Sequence, residues 1–224
     1  MKEKSNDSGM ECEKMIEEKR LLKLMDKAYK AGGYLMVNGE RGIELVKEGE
    51  WRFGLDKNKV SARIKAKLVE HMDFLPEDAA AWMVRPDGAQ TMDLGTALME
   101  CGGWVPKRQL AMQETDLCFG SLVIYQNEET GVCAAIPASW LVCAGENNVL
   151  VDTVAGICYK SEEGESACGV CATKRTENTT ERAMKLSAVL LALEKTKLVG
   201  ADAGEQARDQ LDLLEEEECG DAEE

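Results

Sequence analysis

Hydrophobic positions along this chain follow two rhythms, and the rhythm changes where Gly, Asn and Pro punctuate it. Met15, Leu22, Met25 and Tyr29 recur at helical spacing, with Ile16 and Leu21 beside them and Lys and Glu on the far side. Ser8 with Glu11 three residues on reads as the capping box that starts this helix, and Gly32-Gly33 as its end. Residues 34–37, 43–46 and 50–53 then read as a three-stranded meander. Asn38-Gly39 is a strong hairpin turn, and Trp51 and Phe53 alternate onto one face. Val60, Ile64, Leu68 and Met72 form a stripe at spacing four, which predicts a helix over 57–72 capped by Asp56. Pro76 at a first helical position predicts a short helix over 76–84. Arg85-Pro-Asp-Gly88 reads as a turn, and 93–101 as another helix ended by Gly102-Gly103.

After Pro106 the pattern predicts two hairpins, 122–126 with 132–136 and 156–160 with 167–173. The segment between them, Pro137 to Cys143, fits a helical turn or a return strand, and periodicity does not separate the two. Val149 to Val154 reads as a buried strand. Ala183, Leu186, Leu190 and Leu193 stripe a last helix over 179–198, capped by Asn178 and stopped by Gly200. Ala207, Leu211 and Leu214 add a weaker helical segment. The fold these elements predict is α+β: antiparallel hairpins and a meander, with helices packed on one face. The expected organisation is a disordered N-terminus over 1–9, one compact domain over 10–200 with a sub-boundary near 104–110, and an acidic C-terminal tail over 201–224.

Composition sharpens this. Aromatic residues make up 5% of the 224 positions, so the core rests on Leu, Val, Ala and the eleven Met. The formal net charge is −15. Residues 201–224 hold eleven acids and one base, which is −10, so the rest of the chain carries only −5. Such a balance disfavours direct binding of nucleic acid through the whole field of the protein. The polar N-terminus has no secretory pattern, and no apolar run approaches the roughly 20 residues that span a bilayer. A cytoplasmic, reducing location is expected, with no membrane contact. The nine cysteines are then free thiols or metal ligands rather than disulfides.

Three groups of residues carry candidate chemistry. Cys168-Gly-Val-Cys171 is a CxxC motif, which serves as a redox pair or as half of a zinc site. Cys158 can supply a third zinc ligand across the hairpin, and Cys143 or Cys133 a fourth. Buried structural thiols are the plainer reading. Lys59, Arg63, Lys65 and Lys67 make a basic stripe on the 57–72 helix, suited to phosphates or to an acidic protein, or simply solvated. Glu215, Glu216, Glu217 and Glu218 form the densest part of the tail, a candidate contact for a partner. His71 is the single histidine. No Ser–His–Asp set, phosphate loop or HExxH motif stands out, so the chain lacks the convergent polar residues of an enzyme.

The nine residues Gly131-Val-Cys-Ala-Ala-Ile-Pro-Ala-Ser139 resemble a hairpin-to-helix junction in a phage-encoded inhibitor of an RNA-guided RNA nuclease. The match rests on Gly131, Cys133, Ile136, Pro137, Ala138 and Ser139. The expectation is an acidic regulatory or binding protein that acts by protein–protein contact. One form of it is an inhibitor from a phage or mobile element, presenting carboxylates to a nucleic-acid-binding partner. The alternatives are a zinc- or thiol-dependent protein built on the cysteines, with no other cofactor, and a nucleic-acid binder using the 57–72 helix.

Overall fold

In the computed structural model, residues 15–104, 106–174 and 180–199 are described. The chain runs α1 (Glu18–Lys30), β1 (Tyr34–Asn38), β2 (Gly42–Lys47), β3 (Trp51–Asp56), α2 (Ala62–Met72), β4 (Ala80–Arg85), β5 (Gly88–Met92) and α3 (Leu94–Gly102). It continues with β6 (Leu110–Phe119), β7 (Leu122–Gln126), β8 (Cys133–Pro137), α4 (Ala138–Ala144), β9 (Val149–Asp152), β10 (Ile157–Glu162), β11 (Glu165–Val170), β12 (Ala172–Thr173) and α5 (Glu181–Leu193). All strand pairs are antiparallel, in the order β12-β8-β7-β6-β9-β10-β11-β3-β2-β1-β4-β5.

One end of this sheet curls back. Only Cys171 separates β11 from β12, yet β12 pairs with β8. The path from β12 through β6 to β11 therefore returns to its own starting point. The long strand β6 makes the corner: Leu110–Met112 pair with β9, and Gln113–Phe119 pair with β7. The register shifts between Glu114 and Cys118, where Asp116 takes φ 59°. A bulge of this kind bends a strand and increases its twist. Trp140 and Leu141 of α4 pack with Tyr125, Ile136, Val149, Val151 and Cys158 in the curl.

The sheet is covered on both faces, not on the single face expected. Strand side chains alternate, so Tyr34 and Met36 of β1 join the main core with Leu21 and Met25 of α1 and Leu68 of α2, whereas Leu35 and Val37 pack with Ala97 and Cys101 of α3. A third apolar cluster seats Leu186, Leu190 and Leu193 of α5 on Ile124, Cys133 and Ala135. Burial on both sides explains why β1 reads as a continuous apolar run.

Several boundaries moved. The first helix starts at Glu18, after a bend at Met15 and Ile16, with the Glu17 carboxylate accepting from Lys19 N and Arg20 N; Ser8 lies outside the described residues. The second starts at Ala62, where Ser61 accepts from Ile64 N, while Asp56 instead closes a turn on Asn58 N. The helix expected over 76–84 is strand β4. Its pairing with β1 and its hairpin to β5 bury Trp82 and Val84 on one face and Ala81 on the other, which a short isolated helix could not do. Pro137 does open a helix, α4. The last helix starts at Glu181 with Thr180 as cap; Asn178 and the 207–214 segment lie outside the described residues. No helix among them is long and apolar enough to cross a membrane.

Candidate functional site

Between α3 and the centre of the sheet lies a trough of about 740 Å³. Its floor is the face of β2, β3, β11 and β10 opposite the main core. Gly54 and Ser166 face each other there across β3 and β11. The floor is tight: a Cβ at Gly54 would stand 2.5 Å from Ser166 Oγ. Leu94 and Leu98 of α3 form one wall, and Leu98 is exposed. Glu40, Glu44 and Asp56 lie along it with Arg41, and Glu44 is already paired with Arg52. Arg52 fixes the geometry. Its guanidinium donates to Glu44 at 2.6 Å and to Cys101 O at 2.9 Å, so it ties the C-terminal turn of α3 to the sheet. A cation at that helix end is also favoured by the helix dipole.

A second polar cluster sits where α1 crosses α2. His71 Nε2 is 3.1 Å from Asp26 Oδ1 and Nδ1 is 3.0 Å from the Tyr34 hydroxyl. A carboxylate only accepts, so Nε2 carries the proton and Nδ1 accepts from Tyr34. Tyr29 stacks on the imidazole with centroids 4.1 Å apart. Lys67 Nζ lies 3.0 Å from Asp26 and 2.7 Å from Glu70. Burial pushes the His71 pKa down, and Asp26 recovers only part of that shift. Burial also opposes ionisation of Asp26, but hydrogen bonds from Lys67 and His71 outweigh it and hold the carboxyl below its ordinary value. One ligand atom from each of Asp26, Glu70 and His71 falls within 4.8 Å of the others, the one such group among the described residues.

The four cysteines expected to converge do not. Cys158 and Cys171 meet in the main core. Cys168 sits on the other face of β11, its thiol directed at Trp104 O at 3.5 Å. The cause is the period of a strand: β11 alternates its faces, and an odd spacing of three points the two thiols of the CxxC motif apart. Cys143 lies against Glu17 O at the α1–α4 contact. Burial raises the thiol pKa of Cys143 to about 12 and of Cys168 to about 11, and pushes that of Cys158 well up. Protonated buried thiols are poor nucleophiles and poor ligands.

Two of the four residues of the basic stripe are paired within the protein. Arg63 pairs with Glu18 at 3.8 Å, and Lys67 with Asp26 and Glu70. Lys59 precedes the helix, in a turn its N–H closes onto Asp56 O. Lys65 stands with Lys57 at a small cleft of about 220 Å³ over Ile43, Leu68 and Leu75. Glu215–Glu218 lie outside the described residues. Sequence reading passed over Asp26, Tyr34 and Glu70. Part of the signal was present, since Lys67, Glu70 and His71 follow i, i+3, i+4 spacing on one helix face; no spacing connects them to Asp26 on another helix.

The fold and its two polar sites define an antiparallel α+β protein with an acidic trough and a half-buried histidine–carboxylate cluster. No known protein family, curated protein or solved structure matches the chain.

Proposed function

We propose that this is a protein-binding module whose trough beside α3 receives an extended, basic segment of a partner. The observation that carries this reading is the trough's combination of shape and charge: a floor of small residues, an apolar wall, and the carboxylates of Glu40 and Asp56 beside Arg41, with Glu44 held by Arg52. Small floor residues allow a main chain to approach, apolar walls anchor side chains, and carboxylates select Lys or Arg. Carboxylates held in this way compete for the Lys and Arg side chains that a nucleic-acid-binding partner uses for phosphates. That makes an inhibitory or regulatory role the natural form of the function. The paired basic side chains of α2 favour this over direct nucleic-acid binding.

The test is fluorescence anisotropy of a labelled nona-arginine peptide against the full chain. Glu40→Lys combined with Leu98→Lys should weaken binding about tenfold or more at low salt. Unchanged affinity in that variant would place the binding in the acidic C-terminal residues and end the trough reading.

A further inference from the structure

The cluster of His71, Asp26 and Glu70 has the composition of a metal centre, and the Lys67 ammonium group bridges its two carboxylates. We propose that these three side chains form a site for a divalent ion of zinc type, gated by Lys67. The geometry points this way from several sides. One imidazole nitrogen and two carboxylates are a donor set that zinc accepts. Their nearest ligand atoms already lie within 4.8 Å of one another. Zinc–ligand bonds of about 2.0–2.2 Å bring such atoms to roughly 3.5 Å, a rotamer adjustment for two carboxylates at the protein surface.

The imidazole is fixed before any ion arrives. Its side chain is only 4% exposed, it is stacked on Tyr29, and its Nδ1 is engaged by Tyr34. Asp26 and Glu70 are 40% and 63% exposed, so the site has a buried base and an open mouth. Ion binding at Nε2 moves the imidazole proton to Nδ1, which then donates to the Tyr34 oxygen. That is the outer hydrogen bond that orients metal-binding histidines. Tyr34 is therefore a positioning residue.

Lys67 explains how the carboxylates stay together without an ion. Its Nζ sits within 3.0 Å of both, and its charge leaves the cluster at −1. A divalent ion brings the three-residue site to neutrality once the Lys67 side chain swings into solvent. Lys67 and the ion compete for one place, so removing the lysine strengthens metal binding. This centre does not depend on the acidic trough, which lies on the opposite face of the sheet.

Chelator-treated full-length protein, titrated with Zn²⁺ by calorimetry and with Co²⁺ by absorption, tests it. Lys67→Ala should bind one ion at least about tenfold more tightly than the parent, and Glu70→Gln or Asp26→Asn should lose about ten- to a hundredfold. The cobalt form should show weak visible bands and no thiolate charge-transfer band in the near ultraviolet, and the His71 proton resonances should shift. Glu70 is at the surface, so its variant reads the site without disturbing the core. Two results would overturn the assignment: no stoichiometric ion in either the parent or Lys67→Ala, or binding that carries a thiolate band and ignores Glu70→Gln.

Discussion

Tyr34 donates its hydroxyl proton to His71 Nδ1 across 3.0 Å, joining the first strand of the meander to the last turn of α2. Both residues are buried, at 1% and 5% exposure. Burial of the ring opposes the charged form of the chain's only histidine and lowers its pKa, and the Asp26 carboxylate offsets only part of that.

The stability of the protein should therefore fall on mild acidification. The unfolded chain takes up a proton at His71 near pH 6.5, while the folded state resists it to a lower pH. The contribution is complete above the unfolded pKa, declines as pH drops through it, and is lost once the folded pKa is passed. Asp26, with its lowered pKa, adds a further loss below the ordinary carboxylate range. Urea midpoints should drop between pH 7 and 5, and the His71 Cε1 proton should titrate below 6.5 by NMR. A midpoint at or above 6.5 contradicts the arrangement.

Gly169 should not accept a methyl group. A Cβ there would stand 2.8 Å from Trp140 Cδ1 and 2.9 Å from Cys158 Sγ, both in the packed curl of the sheet. Gly169→Ala should cost about 1–3 kcal/mol, the usual penalty for overpacking. A thermal melt should show a lowered Tm, and the tryptophan emission should change as the Trp140 ring is displaced.

Gln126 should hold the segment that follows the last helix. Its carboxamide oxygen accepts from Leu198 N at 2.7 Å, and its nitrogen donates to Thr196 O at 2.8 Å. Gln126→Ala removes both of these hydrogen bonds and takes the acceptor from the buried Leu198 N–H, at about 1–3 kcal/mol. Hydrogen exchange at the Leu198 amide should accelerate more than exchange at amides in β1. Equal acceleration at both would mean global destabilisation and no local clasp.

The thiols should divide by burial. At pH 8, Ellman's reagent should modify exposed Cys118 readily, whereas Cys101, Cys133, Cys143 and Cys168, with pKa values pushed up to about 11–12, should react only on unfolding. Peptide mapping by mass spectrometry reads the pattern directly. Rapid labelling of Cys168 in the native protein would restore the redox reading of the CxxC motif.

Local chemistry was legible in the sequence where a turn or a cap decides it. Asn38-Gly39, Arg85-Pro-Asp-Gly88 and Asp93 stand where a hairpin turn, a turn and a helix start were expected. The same reading failed for 80–85, because the choice between helix and strand there was made by β1 waiting alongside. It also missed β6, whose polar positions are tolerated because much of the strand faces solvent.

By itself the sequence determined the class of fold, the meander, both hairpins after Pro106, and the negative balance of charge, since each rests on neighbours along the chain. Only the tertiary structure decided the two-sided helical cover, the return of β12 to β8, the separation of Cys168 from Cys171, and the meeting of Asp26, Tyr34, Glu70 and His71. Those depend on which residues distant in sequence share a face. Side-chain periodicity says that a face exists, and only packing says what comes to cover it.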